Sequence, residues 1–325
     1  MLYRLSVFVG RSLVNIGLLF LLTTVCWTLE LAGQVTQHVV DFDGNGRTDY
    51  AVARLVGGPQ IRWFYSLNPS GVTVTQDWGL ELDEFVPEDY DGDSKTDIAV
   101  WRPGSPAVFY ILNSQTSTVR VEAFGQTDDD PSVVGDYNND GMADLAVYRS
   151  GTPSTWLFRT TPNGPLNSVA WGTVGDFPAP GDYNGDGSND FVIQRNNGNG
   201  QGDFWRLFSG GGIDVVTWGL PTDLVVPGDY DGDGKTDIAV VRRVTGGPLQ
   251  WYVLQSGGGG ALQANWGTTA TDRPAQGDYD GDGKTDLTIW RSSGVFWVFN
   301  SATSSVSAVN WGTTGDYPIA NFNVH

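Results

Sequence analysis

A unit of about 47 residues repeats through almost the whole chain, and this periodicity constrains the fold more than any other feature. Its clearest landmark is an acidic nonamer such as Asp229-Tyr230-Asp231-Gly232-Asp233-Gly234-Lys235-Thr236-Asp237. Related nonamers open at Asp41, Asp89, Asp136, Asp182 and Asp278, with gaps of 46 to 49 residues between successive openings. Other landmarks keep phase with it. An arginine follows each opening Asp by 13 residues (Arg54, Arg102, Arg149, Arg195, Arg242, Arg291). An aromatic–glycine pair closes each unit, at Trp78-Gly79, Phe124-Gly125, Trp171-Gly172, Trp218-Gly219, Trp266-Gly267 and Trp311-Gly312. A seventh start, Asn321-Phe322-Asn323, breaks off at His325.

Within a unit the apolar runs are short, rich in Val, Ile and aromatic residues, and bounded by Gly, Pro and Asp clusters. These are strand signals. In the fifth unit they predict strands at 225–230, 237–241, 250–254 and 261–266. Beyond the first 33 residues no 12-residue window shows helical periodicity without a breaker. Four antiparallel strands per 40–50 residues are the mark of a propeller blade, in which radial repetition leaves only short protected edges. The expected fold is therefore all-β, a β-propeller of four-stranded antiparallel blades. Six complete repeats fit residues 37–312, and an extra strand at 317–324 closes the ring against the first blade. The alternative is seven blades. It needs strands from the amino-terminal segment, where Trp27-Thr28-Leu29-Glu30-Leu31 echoes Trp78-Gly79-Leu80-Glu81-Leu82.

The nonamer places oxygen-bearing side chains at alternate positions, which turn toward one point in a tight loop. Position 1 is Asp41, Asp89, Asp136, Asp182, Asp229 and Asp278, and position 9 is Asp49, Asp97, Asp144, Asp190, Asp237 and Asp286. Position 3 is Asp43, Asp91, Asn138, Asn184, Asp231 and Asp280, while position 5 is Asn45, Asp93, Asp140, Asp186, Asp233 and Asp282. Position 7 (Arg47, Lys95, Met142, Ser188, Lys235, Lys284) would add a backbone carbonyl. Hard cations take six to eight oxygens, and Ca²⁺ tolerates the irregular geometry of a loop better than Mg²⁺ does. No His or Cys lies within any of the loops, which argues against Zn²⁺. Asp and Gly also mark ordinary β-turns, but six phased copies point to cation binding. Up to six Ca²⁺ ions are expected. Loops 5 and 6 have four carboxylates and both glycines; in loop 2 Ser94 replaces the turn glycine and strains it, and each Asn in loops 1, 3 and 4 weakens its site. The Asn321/Asn323 start should bind nothing.

The chain carries 37 acidic and 18 basic residues, a formal charge of −19, and 32 of the acids are Asp. The six nonamers hold 21 of those Asp and four bases, a sum of −17, so the remainder is nearly neutral at −2. A nucleic-acid partner is excluded for want of a basic patch. Residues 1–33 differ in kind. Arg4 and Arg11 precede a mostly apolar run from Leu13 to Trp27, and Leu31-Ala32-Gly33 forms a small-residue neighbourhood. That pattern predicts a cleaved signal peptide, with an uncleaved anchor as the alternative. Cleavage there removes Cys26, the single cysteine, and leaves a secreted or cell-surface propeller over 34–325 with no membrane insertion.

The stretch Gly228-Asp229-Tyr230-Asp231-Gly232-Asp233-Gly234-Lys235-Thr236-Asp237-Ile238-Ala239-Val240 resembles the FG-GAP/VCBS repeats of integrin-α-like β-propellers and of bacterial surface proteins. The resemblance covers about 37–325. It implies calcium in loops that join the first two strands of each blade. It does not fix function, because such propellers serve as lectins, adhesins and accessory modules of enzymes.

Catalysis has little material. His38 and His325 are the only imidazoles, which leaves almost nothing for a Ser-His-Asp or Cys-His arrangement. Most Asp belong to the loops, and the acidic outliers, Glu81–Glu88 and Asp128-Asp129-Asp130, read as solvated linker charges. The reading is a non-catalytic binding or adhesion module for a glycan or an extracellular protein. The alternatives are an accessory or catalytic domain of a carbohydrate-active enzyme and a structural spacer. Most Trp and Phe are expected in the core, the recurring Arg is expected to pair with an acid or carbonyl, and the variable loops 102–106, 196–203 and 244–248 are the expected recognition surface.

Overall fold

The computed structural model describes residues 40–321. The predicted signal segment, Cys26, the 27–31 echo, His38, His325 and Phe322-Asn323 lie outside the described residues. Among the described residues the chain forms six antiparallel sheets and one short 3-10 helix, Ile319–Asn321. No helix among them is long and apolar enough to cross a membrane.

Each sheet is a blade in which consecutive strands are neighbours. Blade 5 runs Leu224–Val225, Ile238–Arg243, Pro248–Leu254 and Ala261–Thr268. Burial falls from the axis outward and matches the strand chemistry. In blade 6 the second strand, Leu287–Arg291, is buried on both faces up to Trp290, and so it is apolar apart from Thr288 and the terminal Arg291. The third, Val295–Phe299, alternates, and the outer one, Val306–Asn310, exposes every second residue.

The inner strands are shorter than the sequence suggests. The expected 225–230 strand shrinks to Leu224–Val225 plus an isolated bridge from Gly228 to Asp237. Pro227 has no amide to give the ladder, and Tyr230 turns its hydroxyl back to the Val226 carbonyl at 2.8 Å. In blade 3 the inner strand is reduced to bridges at Asp130–Tyr148 and Gly135–Asp144, because one extra residue separates Asp129 from Asp136.

Six blades are present, and the ring closes as a mixed blade. The inner strand of blade 1, Tyr317–Pro318, comes from the carboxyl end and pairs with Tyr50–Leu55. It stops at Pro318, where the 3-10 helix Ile319–Asn321 begins, and residues 322–324 of the expected strand lie outside the described residues. Ile319, fully buried, turns into the blade 1 core beside Val40 and Trp63.

Ten of the tryptophans hold the blades together. Trp63, Trp101, Trp156, Trp251 and Trp290 are fully buried, and their indole N–H groups bond the carbonyls of the aromatic residues that close the units. The closing tryptophans then reach the next blade. Trp78 donates to the Tyr110 carbonyl at 3.1 Å and Trp311 to that of Phe64 at 3.1 Å, and Trp171, Trp218 and Trp266 do likewise. The Phe124 side chain has no N–H, and the seam between blades 2 and 3 is built differently. Glu122, 2 % exposed, accepts from Arg120 and Arg159 (both 2.8 Å) and from the Asn163 amide (3.0 Å), while Arg159 lies over Phe124.

Candidate metal centres

The Asp loop joins the inner and second strands of each blade, and its own backbone shapes it. The position 1 carboxylate collects amides from positions 4 to 6: Asp41 accepts from Gly44 (2.8 Å), Asn45 (3.2 Å) and Gly46 (2.7 Å). The position 9 carboxylate ties the loop to its blade. Asp237 accepts the Tyr230 amide at 2.9 Å on one oxygen and the Ser256 amide at 2.7 Å on the other. Position 6 needs a left-handed backbone, supplied by Gly46, Gly234 and Gly283 at φ 81 to 83°. Ser94 is forced to φ 65° at this position in loop 2, as the sequence suggests. Replacing Ser94 with Gly should raise stability by about 1 kcal/mol, or about 2 °C of melting temperature, since only the Cβ strain is removed. A calorimetric scan in which the variant melts no higher than the parent would refute this account of loop 2.

The loops differ in what they bring together. Three carboxylates lie with ligand oxygens within 4.8 Å of one another at Asp41/Asp43/Asp49, Asp89/Asp91/Asp97, Asp229/Asp231/Asp237 and Asp278/Asp280/Asp282. In three of these groups the position 3 residue turns a buried oxygen inward with no hydrogen-bond partner: Asp43 Oδ1, Asp91 Oδ1 and Asp280 Oδ1. An unpartnered buried carboxylate oxygen is costly, and a cation is the partner that such a converging set of acids fits. Loops 1, 2, 5 and 6 could therefore hold a metal ion.

Loops 3 and 4 do not form such a group among the described residues. There position 3 is an amide that hydrogen-bonds within its own loop: Asn138 Nδ2 donates to Asp140 at 2.9 Å and Asn184 Nδ2 to Asp186 at 2.9 Å. Loop 1 also carries an Asn, yet it belongs with the converging set. Asn45, at position 5, swings its Nδ2 out to the Asn68 carbonyl at 2.7 Å and leaves Asp43 facing Asp41 and Asp49. Counting amides thus mis-sorts loop 1, because the position of the amide matters more than its number. The position 7 side chains do not join their own clusters. Those of Lys95, Met142, Lys235, Lys284 and Arg47 lie across the position 4 glycine of the loop before. The position 7 backbone amide donates to position 5 in all six loops, as Ser188 does to Asp186 at 3.0 Å.

Burial raises every position 9 carboxyl, against backbone amides that pull the other way. Asp49, Asp97, Asp144 and Asp286 are pushed up to about 7, and Asp190 and Asp237 to about 6. Neighbouring acids of the same loop add to the rise. Asp41, Asp89, Asp229 and Asp278 are raised for the same reason.

The loops also form a closed ring. In each, the position 8 amide donates to the position 1 carbonyl of the preceding loop: Thr96 to Asp41, Ala143 to Asp89, Asn189 to Asp136, Thr236 to Asp182, Thr285 to Asp229 and Thr48 to Asp278, all at 2.6–2.7 Å.

A second set of six acids, read above as linker charge or passed over, proves to be buried. Asp83, Asp129, Asp176, Asp223, Asp272 and Asp316 are 3–8 % exposed, and each takes the recurring arginine in a two-pronged grip: Arg102, Arg149, Arg195, Arg242, Arg291 and Arg54 in turn. This corrects the linker reading for Asp129 and for Asp83, inside Glu81–Glu88. The sequence signal was present: an Asp stands four or five residues after the glycine of each aromatic–glycine pair. Five of the six guanidiniums also lie 4.4–5.5 Å over an aromatic ring of the third strand, Phe64, Tyr110, Trp205, Tyr252 or Trp297.

A family model described as FG-GAP-like repeat matches residues 89–147 and 229–289. No curated protein matches the chain. Among solved structures, the crystal structure of a triple arginine-to-alanine mutant of AofleA from Arthrobotrys oligospora is similar in fold. Its TM-score is 0.51 at 11% identity, over 83% of this chain and 88% of that one. The matched segments contain loops 2, 3, 5 and 6, and the remaining loops keep the same phase, clasps and arginine pairs. The chain is thus a six-bladed β-propeller that contains FG-GAP-like repeats.

Proposed function

We propose that this chain is a secreted or cell-surface, non-catalytic binding module, stabilised by calcium and directed at a glycan or an extracellular protein. The observation that carries the calcium part is the inward, unpartnered oxygen of Asp43, Asp91 and Asp280 within converging carboxylates. Loops 1, 2, 5 and 6 would hold the ions, and the all-oxygen donor set suits Ca²⁺ over softer metals. A bound dication supplies the charge that these loops otherwise lack, and the loops are then fixed relative to their blades through position 9.

Recognition is assigned to the grooves between blades and to the opposite end of the ring. Five of the six recurring arginines, each with its Nε and Nη2 engaged by a buried Asp, are 28–35 % exposed beside an aromatic ring. Blade 3 alone lacks the ring, with Leu157 in its place. A rigid apolar face with a fixed guanidinium edge suits a polyhydroxylated ring, which needs both stacking and donors. The variable loops 102–106, 196–203 and 244–248 span the joins from second to third strands, so they sit at the end away from the Asp loops.

A glycan array probed in calcium and again in EGTA tests the reading. Retention of a defined glycan set in calcium, reduced in EGTA and by Arg195→Met, is the expected result. No glycan bound, and no protein captured specifically from a host-cell surface, would reduce the molecule to a spacer.

A further inference from the structure

The four carboxylate clusters are not scattered. Loops 5, 6, 1 and 2 are consecutive around the ring, and the junction in the middle of that run, loop 6 against loop 1, is where the two ends of the repeat array meet. That junction has the least continuous backbone. The inner strand of blade 1 is held to Tyr50–Leu55 by two ladder pairs, Val52–Pro318 and Ala53–Tyr317, and by the Arg54–Asp316 ion pair. The loop contact at the same seam is unusually dense. The Thr48 amide donates to the Asp278 carbonyl at 2.6 Å, and Asn68 Nδ2 donates to the carbonyls of Tyr279 (2.6 Å) and Thr48 (3.1 Å).

We infer that cations in loops 6 and 1 act as a latch that holds the propeller ring shut. The inference rests on the calcium reading above. The mechanical reason is covalent adjacency. Asp278 gives its carboxylate to the loop 6 cluster and its carbonyl to Thr48. Thr48 in turn precedes Asp49, whose carboxylate belongs to the loop 1 cluster. With an ion on each side, both partners of the Thr48–Asp278 hydrogen bond are anchored, and the seam cannot open without releasing a ligand. Linkage makes the effect reciprocal: closing the ring raises the affinity of loops 6 and 1 for calcium. The seam between blades 3 and 4 gives the contrast. It joins two consecutive units of the chain, and its loops satisfy their acids with Asn138 and Asn184.

Hydrogen exchange read by mass spectrometry on the full chain, in calcium and in EGTA, tests the latch, with calcium binding measured by calorimetry on the same sample. Chelation should speed exchange in peptides covering 44–54 and 312–321 by about tenfold more than in peptides covering 173–194. The double substitution Asp43→Asn with Asp280→Asn should open the same two peptides in the presence of calcium, while calorimetry still detects loops 2 and 5. If calcium binds but protection changes equally in all three regions, the latch is wrong and the calcium reading stands. If calorimetry finds no calcium binding, both fall. Should the double variant fail to fold, the comparison on the parent chain still decides.

Discussion

Removing calcium with EGTA is expected to lower the melting temperature by about 20 °C. Four sites, each at free calcium about 100 times its dissociation constant, contribute about 2.7 kcal/mol apiece, and a domain of this size shifts by about 2 °C per kcal/mol. The gap should also widen as pH rises, and its sign follows from the buried position 9 acids. Their folded values of about 6 to 7 lie above the ordinary carboxylate value near 4. In the calcium-free chain, stability from these groups is therefore fully present below about pH 4 and is lost as pH climbs through 6 to 7. In calcium the order reverses, because binding requires the deprotonated form and the ion competes with the proton. Melting curves from pH 5 to 8 should thus fall in EGTA and hold or rise in calcium. Equal curves with and without EGTA, or a gap that narrows toward pH 8, would remove the metal from these loops.

The same arithmetic gives the charge of the chain an address. The nonamers sum to −17, and four dications would cancel about half of that. Outside the nonamers the acids are mostly paired: six hold the recurring arginines, Asp77 holds Arg62, Asp214 holds Arg206, and Glu122 holds Arg120 and Arg159.

Periodicity made the blade count legible, because one supersecondary unit per 47 residues leaves few ways to bury four strands. The second and third strands were legible too, since burial on both faces forces runs such as Ile238-Ala239-Val240-Val241. The inner strands were not. Their two or three residues are set by curvature around the axis and by prolines such as Pro227, which no local pattern reports. In the loops, ligand type was readable while convergence was not. Asn45 and Asn138 look alike in sequence, but one reaches out to Asn68 and the other turns onto Asp140. The buried Asp set was legible in phase for five of its pairs, whose partners stand 19 or 20 residues apart, whereas Asp316 and Arg54 are 262 residues apart and only ring closure makes them partners.

Those arginine clasps carry the second large effect. Replacing Arg242 with Met should cost about 3–5 kcal/mol and lower the melting temperature by about 6–10 °C. Asp223 has a side chain only 1 % exposed, and its two oxygens are engaged by Arg242 at 2.9 and 2.8 Å. Without the guanidinium one oxygen keeps the Leu220 amide at 2.8 Å, and the other faces the protein interior with a full negative charge. The penalty comes from stranding that charge, so removing it should recover much of the loss. Arg242→Met combined with Asp223→Asn is expected to melt several degrees above Arg242→Met alone. The exposed pair of Arg62 with Asp77 supplies the control. Its side chains are 40 and 46 % exposed, water replaces the lost partner, and Arg62→Met should leave the melting temperature where it was. Equal losses at Arg242 and Arg62 would mean that burial of the acid is not what the clasp stabilises. A double variant no better than the single would place the cost in lost stacking on Tyr252, 4.6 Å from the guanidinium, instead of in the buried charge.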